Sequence, residues 1–252
     1  MMGRLAIVGL GPGAADWVTP EAAQALAQAS DLIGYGPYLD RLPVHPGQRV
    51  HASDNRVELD RARHALELAA AGHSVAVVSG GDPGVFAMAA AVFEAVEKGE
   101  QHWRELDIQV MPGISAMQAA AARLGAPLGH DFCAISLSDN LKPWEIVARR
   151  LRLAAEADFV IALYNPASKA RPRQIYAAFE VLREVRDGAT PVMFARAVGR
   201  SDEAIVLTDL ACADPGLADM STLVLVGSSQ TRVIGRAGGR AFVYTPRSGG
   251  VA

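Results

Sequence analysis

Short runs of β-branched and aliphatic residues alternate along the chain with longer, Ala-rich stretches whose apolar positions recur at helical spacing. That alternation is the pattern of a parallel sheet covered by helices. In the first half, residues 5–9, 32–35, 75–79 and 108–111 read as strands, and 20–29, 57–71 and 85–98 as helices. Thr19 is placed to cap the first helix, with Pro20 at the first helical position, where its missing N–H costs nothing. Gly72 suits the left-handed position that ends the second. In the second half the strands are 132–136, 159–164, 191–195, 204–207 and 222–226, and the helices 114–124, 144–157 and 173–187. The break falls at Met111-Pro112-Gly113, where a strand runs into a Pro-Gly turn. The expected architecture is α/β, with two αβα domains (1–112 and 113–245) meeting at a cleft, and a flexible tail at 246–252.

Composition narrows the partners more than the fold. Half of the 252 residues are hydrophobic but only 6% are aromatic, because much of the apolar total is Ala, which lets packed elements approach closely. Lys and Arg total 24 against 27 Asp and Glu, a net charge of −3 that argues against nucleic acid or an anionic membrane as partner. The basic side is lopsided: only Lys98, Lys142 and Lys169 are lysines, and the rest are arginines. Cys133 and Cys212 lie far apart with no metal-ligand spacing, so neither a disulfide framework nor a metal site is expected. Without a signal-peptide pattern or a membrane-spanning run, the expected location is the cytoplasm.

In open α/β sheets, ligands bind outside the carboxyl ends of the strands, which directs attention to four loops. Gly9-Leu10-Gly11-Pro12-Gly13 follows the first strand and, with Ala14, satisfies a loose dinucleotide pattern. It reads equally as a tight strand–helix turn. A dinucleotide site also wants an acid at the end of the second strand, where Tyr35 and Gly36 stand, while Asp31 sits at the strand's start. The second loop, Ser79-Gly80-Gly81-Asp82-Pro83-Gly84, brings backbone amides and one carboxylate to the same strand end. The third is Pro112-Gly113-Ile114-Ser115-Ala116, whose Ser115 can cap a helix or touch a ligand. The fourth, Tyr164-Asn165-Pro166, is a turn in the second half. P-loop, nucleophile-elbow and zincin motifs are missing from the sequence.

Taken in order, these four loops resemble the tetrapyrrole methylases, the class III S-adenosylmethionine methyltransferases, from Leu5 to about Thr231. The segments 80–88 and 164–166, with Arg171, look most like the C17-methyltransferases of cobalamin synthesis. His51-Ala52-Ser53-Asp54-Asn55-Arg56 and the stretch 136–144 resemble the oxygen-dependent branch, which methylates precorrin-3B with ring contraction to precorrin-4. The resemblance implies a cytoplasmic homodimer with S-adenosylmethionine in a trough between the two domains. It implies that Pro12, Gly80, Gly81, Asp82, Val85, Ser115 and Ala116 border the cofactor, with Tyr164, Asn165 and Ala197 on the adenine side. A tetrapyrrole carries several carboxylates, for which planar guanidinium groups such as Arg171 and Arg173 are suited, with Tyr35 and Tyr38 beside the substrate.

Ring contraction moves protons, so an acid or base is expected at the substrate, and Asp54, Asn55 and His51 are the candidates. Asp and Asn before a helix also serve as ordinary caps. Relatives acting on uroporphyrinogen carry an Asp where Gly36 stands, so that group's role does not carry over. His64, His73 and the run Arg149-Arg150-Leu151-Arg152 read as surface positions, and Met111, Met117 and Met193 as core. Three other readings remain open: a C17-methyltransferase on cobalt-factor III, an NAD(P)-dependent oxidoreductase, and a non-catalytic tetrapyrrole carrier.

Overall fold

The structure, a computed structural model, describes residues 3–54, 57–168 and 170–248. Two compact units divide between Ala116 and Met117. The division falls after the Pro112 turn because Thr19 Oγ1 donates to the Pro112 carbonyl and Gly113 N donates to Asp82, which keeps this segment with the first unit.

The first unit runs β1 (Arg4–Gly9), α1 (Pro20–Gln28), β2 (Asp31–Tyr35), α2 (Gly36–Leu39), β3 (Arg49–Ser53), α3 (Glu58–Ala70), β4 (Ser74–Ser79), α4 (Met88–Lys98) and β5 (Asp107–Met111). Its five strands are all parallel, in the order β3-β2-β4-β1-β5. Side-chain alternation in β1 explains both layers. Leu5 and Ile7 pack with Ala62, Ala65 and Ala69 of α3 and Val92 of α4, while Ala6 and Val8 pack with Ala22 and Ala25 of α1. Each fully buried Leu, Ile or Val contributes about 1.5–3 kcal/mol, and the alanines of α3 let that helix lie close to the sheet. Thr19 caps α1 by accepting from Ala22 N at 3.2 Å, and Gly72, at φ +97°, follows the end of α3.

Two boundaries depart from the sequence pattern. β3 is absent from the predicted strands because it is no apolar run: it is an edge strand, with Arg49, Val50 and Ala52 exposed, so no continuous hydrophobic pattern is needed. α4 begins at Met88 rather than 85, because Phe86 sits at φ +53° and Ala87 is extended, so neither continues a helix.

The second unit contains α5 (Ala116–Leu124, its first residue shared with the division), β6 (Gly125–Ala126), β7 (Phe132–Ser136), α6 (Trp144–Glu156), β8 (Val160–Tyr164), α7 (Gln174–Val185), β9 (Pro191–Arg196), β10 (Ala204–Asp209), β11 (Thr222–Val226), β12 (Arg232–Ile234) and β13 (Phe242–Tyr244). Its main sheet has the order β10-β9-β11-β8-β7. Only β7 and β8 are parallel, and the other pairs are antiparallel, which corrects the expectation of a parallel sheet here. The link from β9 to β10 is too short for a crossover helix, so the chain turns back as a hairpin. α6 and α7 cover this sheet, with Phe179 stacked on Phe194 among Leu151, Leu163, Ile175 and Leu182. A small sheet, β12-β13-β6, pairs Val243 with Gly125 and Tyr244 with Ala126, and Thr245 Oγ1 donates to the Pro127 carbonyl at 2.7 Å. Among the described residues, no helix is long and apolar enough to cross a membrane.

Candidate functional site

Because the first sheet is wholly parallel, the loops after β1, β4 and β5 leave from the same edge, and glycines allow them to touch. A Cβ on Gly9 would stand 2.7 Å from the Gly81 carbonyl oxygen and 2.8 Å from Gly113 N, and one on Gly113 would stand 2.4 Å from the same carbonyl. Real Cβ atoms do not approach so closely, so the sequence needs glycine at both positions. Gly11 and Gly81 exchange backbone hydrogen bonds (3.1 and 3.0 Å), each at positive φ, where glycine is unstrained. Gly81 also lies against the backbone of Ser115 and Ala116, with Ser115 buried.

Asp82 ties this edge together. Its Oδ1 accepts from Gly84 N at 2.8 Å and its Oδ2 from Gly113 N at 3.0 Å, joining the β4 loop to the β5 loop. Each oxygen keeps a second lone pair for a ligand donor. Pro12 and Val85 flank these loops, both half-buried. Ser79 Oγ accepts from Met88 N, fixing the start of α4. Sequence reasoning missed Arg41, whose Nη2 donates to the carbonyls of Leu10, Gly11 and Gly13 at 3.2–3.3 Å. No motif marks it; a lone Arg after a short helix carries no pattern.

Beside the glycine loops, Gly80 is backed by Tyr38, whose ring a Cβ at that position would meet at 2.7 Å. Tyr38 packs edge-on against Tyr35, with centroids 5.4 Å apart. Tyr35, Gly36, Pro37, Ala52, Ser53 and Asp54 then line an open hollow of about 340 Å³ at the carboxyl ends of β2 and β3. Ser53 also borders a neighbouring hollow together with Arg61 of α3, which is buried and donates to Ser53 Oγ and to the Asp54 carbonyl. Burial pulls the Arg61 guanidinium below the ordinary arginine range. Asn55 lies outside the described residues.

His51 is committed elsewhere. Its Nε2 lies 2.8 Å from Asp31 Oδ1 and its Nδ1 3.2 Å from His64 Nε2, so both ring nitrogens already have partners. Asp31 is fully buried at the start of β2 and also accepts from Ser30, Arg49 and His73. Burial pushes its carboxyl up, but the hydrogen bonds from Arg49, Ser30, His51 and His73 outweigh that and hold it well below the usual carboxylate range. His73, read from sequence as a surface position, is one of those partners. Asp31 thus serves the amino end of the sheet, and the acid that a dinucleotide site requires is missing from the carboxyl end of β2, where Tyr35 and Gly36 stand.

In the second unit, Tyr164 Oη accepts from Met117 N at 3.1 Å. Asn165 sits at φ +52° and donates from Nδ2 to Ser136 Oγ at 2.9 Å. Ala197, buried at the end of β9, holds φ +49°, a conformation that costs a non-glycine residue on the order of 1 kcal/mol or more. Its N–H donates to the Ser221 carbonyl, and Arg196 just before it is fixed by Asp219 and Asp202. Arg171 is largely buried, with Nε 3.9 Å from Asp139 Oδ1, and Gln174 Nε2 donates to Asp139 Oδ2 at 2.8 Å. Arg173 is exposed at the start of α7. Among the described residues no group of three or more His, Cys, Asp or Glu is arranged to hold a metal ion.

Residues 4–214 match the family model described as Tetrapyrrole (Corrin/Porphyrin) Methylases. A precorrin-3B C(17)-methyltransferase from Sinorhizobium sp is 61% identical over 247 residues, covering 98% of this chain and 97% of that protein. A probable cobalt-factor III C(17)-methyltransferase from Salmonella typhimurium is 41% identical over 230 residues, covering 91% and 94%. The crystal structure of the methyltransferase CobJ superposes with a TM-score of 0.92 at 55% identity, covering 97% of this chain and all of that one.

Proposed function

Because the chain belongs to the tetrapyrrole methylase family, we propose that it methylates C17 of precorrin-3B, with ring contraction to precorrin-4, in cobalamin biosynthesis. The observation that carries this is the 61% identity to a precorrin-3B C(17)-methyltransferase along nearly the whole of both chains, against 41% for a cobalt-factor III relative. S-adenosylmethionine supplies the methyl group as an electrophilic sulfonium substituent. The glycine edge of the first unit suits such a cofactor, because Gly9, Gly81 and Gly113 let three loops gather at one strand end, where the Asp82 carboxylate stands. Gly80, Gly81, Asp82 and Val85 hold its amino-acid end and ribose, with Pro12, Ser115 and Ala116 beside them. Tyr164, Asn165 and Ala197 line its adenine.

Displacement at a sulfonium needs alignment more than acid–base help, since the departing thioether is neutral. The residues therefore act chiefly by fixing loops: Asp82 staples two of them, and Arg41 holds the third. Ring contraction does move protons, and Asp54 takes that work in this reading, supported by its exposure on the rim of the hollow beside Tyr35. Arg173 and Arg171 serve the substrate's carboxylates. The enzyme works as a homodimer in the cytoplasm, a state that light scattering on the purified chain measures.

Incubation with labelled S-adenosylmethionine and precorrin-3B tests the proposal. Methyl incorporation with formation of precorrin-4 supports it. Turnover confined to the cobalt-bearing substrate, or none with authentic precorrin-3B, overturns it.

A further inference from the structure

We propose that Ser53, backed by the buried guanidinium of Arg61, is a recognition point for one carboxylate of the tetrapyrrole substrate. The inference rests on the function proposed above and adds to it a residue pair that no sequence motif marks.

Arg61 is 5% exposed, and each of its nitrogens meets a neutral acceptor: Nε donates to Ser53 Oγ at 2.8 Å, Nη2 to the Asp54 carbonyl at 2.5 Å, and Nη1 contacts Met88 Sδ at 3.4 Å. Among the described residues no carboxylate forms an ion pair with it; Glu58 acts on it only at a distance. Buried charges are ordinarily paired, because removing an ion from water is costly. Arg61 keeps its proton regardless, so its charge is held inside the unit with only the distant Glu58 to offset it. The way out of that burial is Ser53.

A serine oxygen that accepts from Nε–H must direct its own proton elsewhere, and no acceptor for that proton is found among the described residues. Ser53 lines both the 340 Å³ hollow and a neighbouring one of about 420 Å³ whose wall includes Arg61, so it stands at their shared wall with an O–H donor polarised by that cation. That combination suits an anionic oxygen. Asp54 borders the 340 Å³ hollow, but its side chain is exposed, where water and salt screen it, whereas the field of Arg61 arises in the interior. Substrate acetate and propionate groups are the anions of matching size. Ser53 touches the carboxylate, and Arg61 is a positioning residue acting through Ser53.

The test compares the natural chain with Ser53→Ala, Ser53→Thr and Arg61→Met in steady-state methyl transfer to precorrin-3B. Loss of a charge-assisted hydrogen bond raises KM for precorrin-3B about tenfold in Ser53→Ala, with a smaller change in kcat. S-adenosylhomocysteine affinity, measured by calorimetry, should stay constant, and Ser53→Thr should restore the natural KM. Competitive inhibition by uroporphyrin III and by its octamethyl ester supplies a second readout, in which the acid loses its advantage over the ester in Ser53→Ala. Arg61→Met should follow Ser53→Ala. Since it removes buried contacts, the serine variants decide the matter. An unchanged KM in Ser53→Ala, or an equal loss of acid and ester binding, overturns the inference. Absence of any methyl transfer by the natural chain overturns instead the function on which it rests.

Discussion

Replacing Asp82 by Ala removes two acceptors whose contributions differ. The bond from Gly113 N is partly buried and ends on an ionised oxygen, so its loss costs about 1.5–3 kcal/mol, while the exposed bond from Gly84 N is worth about 0.5–1 kcal/mol. Gly113 N is crowded between Gly9 and Gly81, with little room for water to replace the lost oxygen. The expected destabilisation of the first unit is therefore about 2–4 kcal/mol. Urea unfolding followed by tryptophan fluorescence can measure it, because Trp17 and Trp103 report on this unit and Trp144 on the other. Loosening of the β5 loop should also weaken S-adenosylhomocysteine binding by about tenfold or more, equivalent to about 1.4 kcal/mol. Asp82→Asn keeps one acceptor and should lose about half as much of each. If Asp82→Ala lowers stability but leaves calorimetric affinity unchanged, the residue is only a staple. If neither quantity moves by more than about 0.5 kcal/mol, the reasoning from the two bonds is wrong.

Arg41→Met should raise the dissociation constant of S-adenosylhomocysteine several-fold by freeing the carbonyls of Leu10, Gly11 and Gly13, with Arg41→Lys intermediate; calorimetry reads both. Asp31 gives a pH dependence. Its folded pKa is depressed, so its stabilisation is complete above the unfolded value of about 3.9 and drains away as pH falls below it. The stability gap between the natural chain and Asp31→Asn should therefore be present at about pH 5 and shrink in more acid solution, as urea midpoints would show. Ala197→Gly should stabilise the second unit by about 0.5–1 kcal/mol, since glycine accepts φ +49° without a Cβ penalty; thermal unfolding checks it.

Helices and the strands of the two main sheets other than β3 were legible because each carries its own hydrophobic run. β7 and β11 run over the very residues that the pattern predicts, and α1, α3 and α6 begin and end within a residue or so of it. β3, β12 and β13 were not, since they expose much of their length and are defined by the strand beside them. Strand direction in the second sheet was hidden too, because hydrophobic runs of the same composition serve parallel and antiparallel neighbours. Glycine loops announced themselves by composition, and the structure adds the reason: three loops meet where a Cβ has no room. The contacts of Arg41 and Asp31 were invisible, and His73 was misread as a surface position, because they depend on partners at long sequence separation; no motif marks Arg61 either. His51 shows the converse, a residue type that suggested chemistry but that β2 and α3 had already engaged.

The small β12-β13-β6 sheet bears on how the chain matures during synthesis. All the strands of the first unit lie before residue 112, so that unit can close its sheet while a large part of the protein is still unmade. In the second unit, Gly125 and Ala126 wait for Val243 and Tyr244, and Pro127 for Thr245, more than a hundred residues later. Translation thus delivers a finished first unit alongside an open second one. A ribosome stalled before Phe242 would hold a chain whose glycine loops are assembled but whose second half lacks its last clasp, and proteases should distinguish the two.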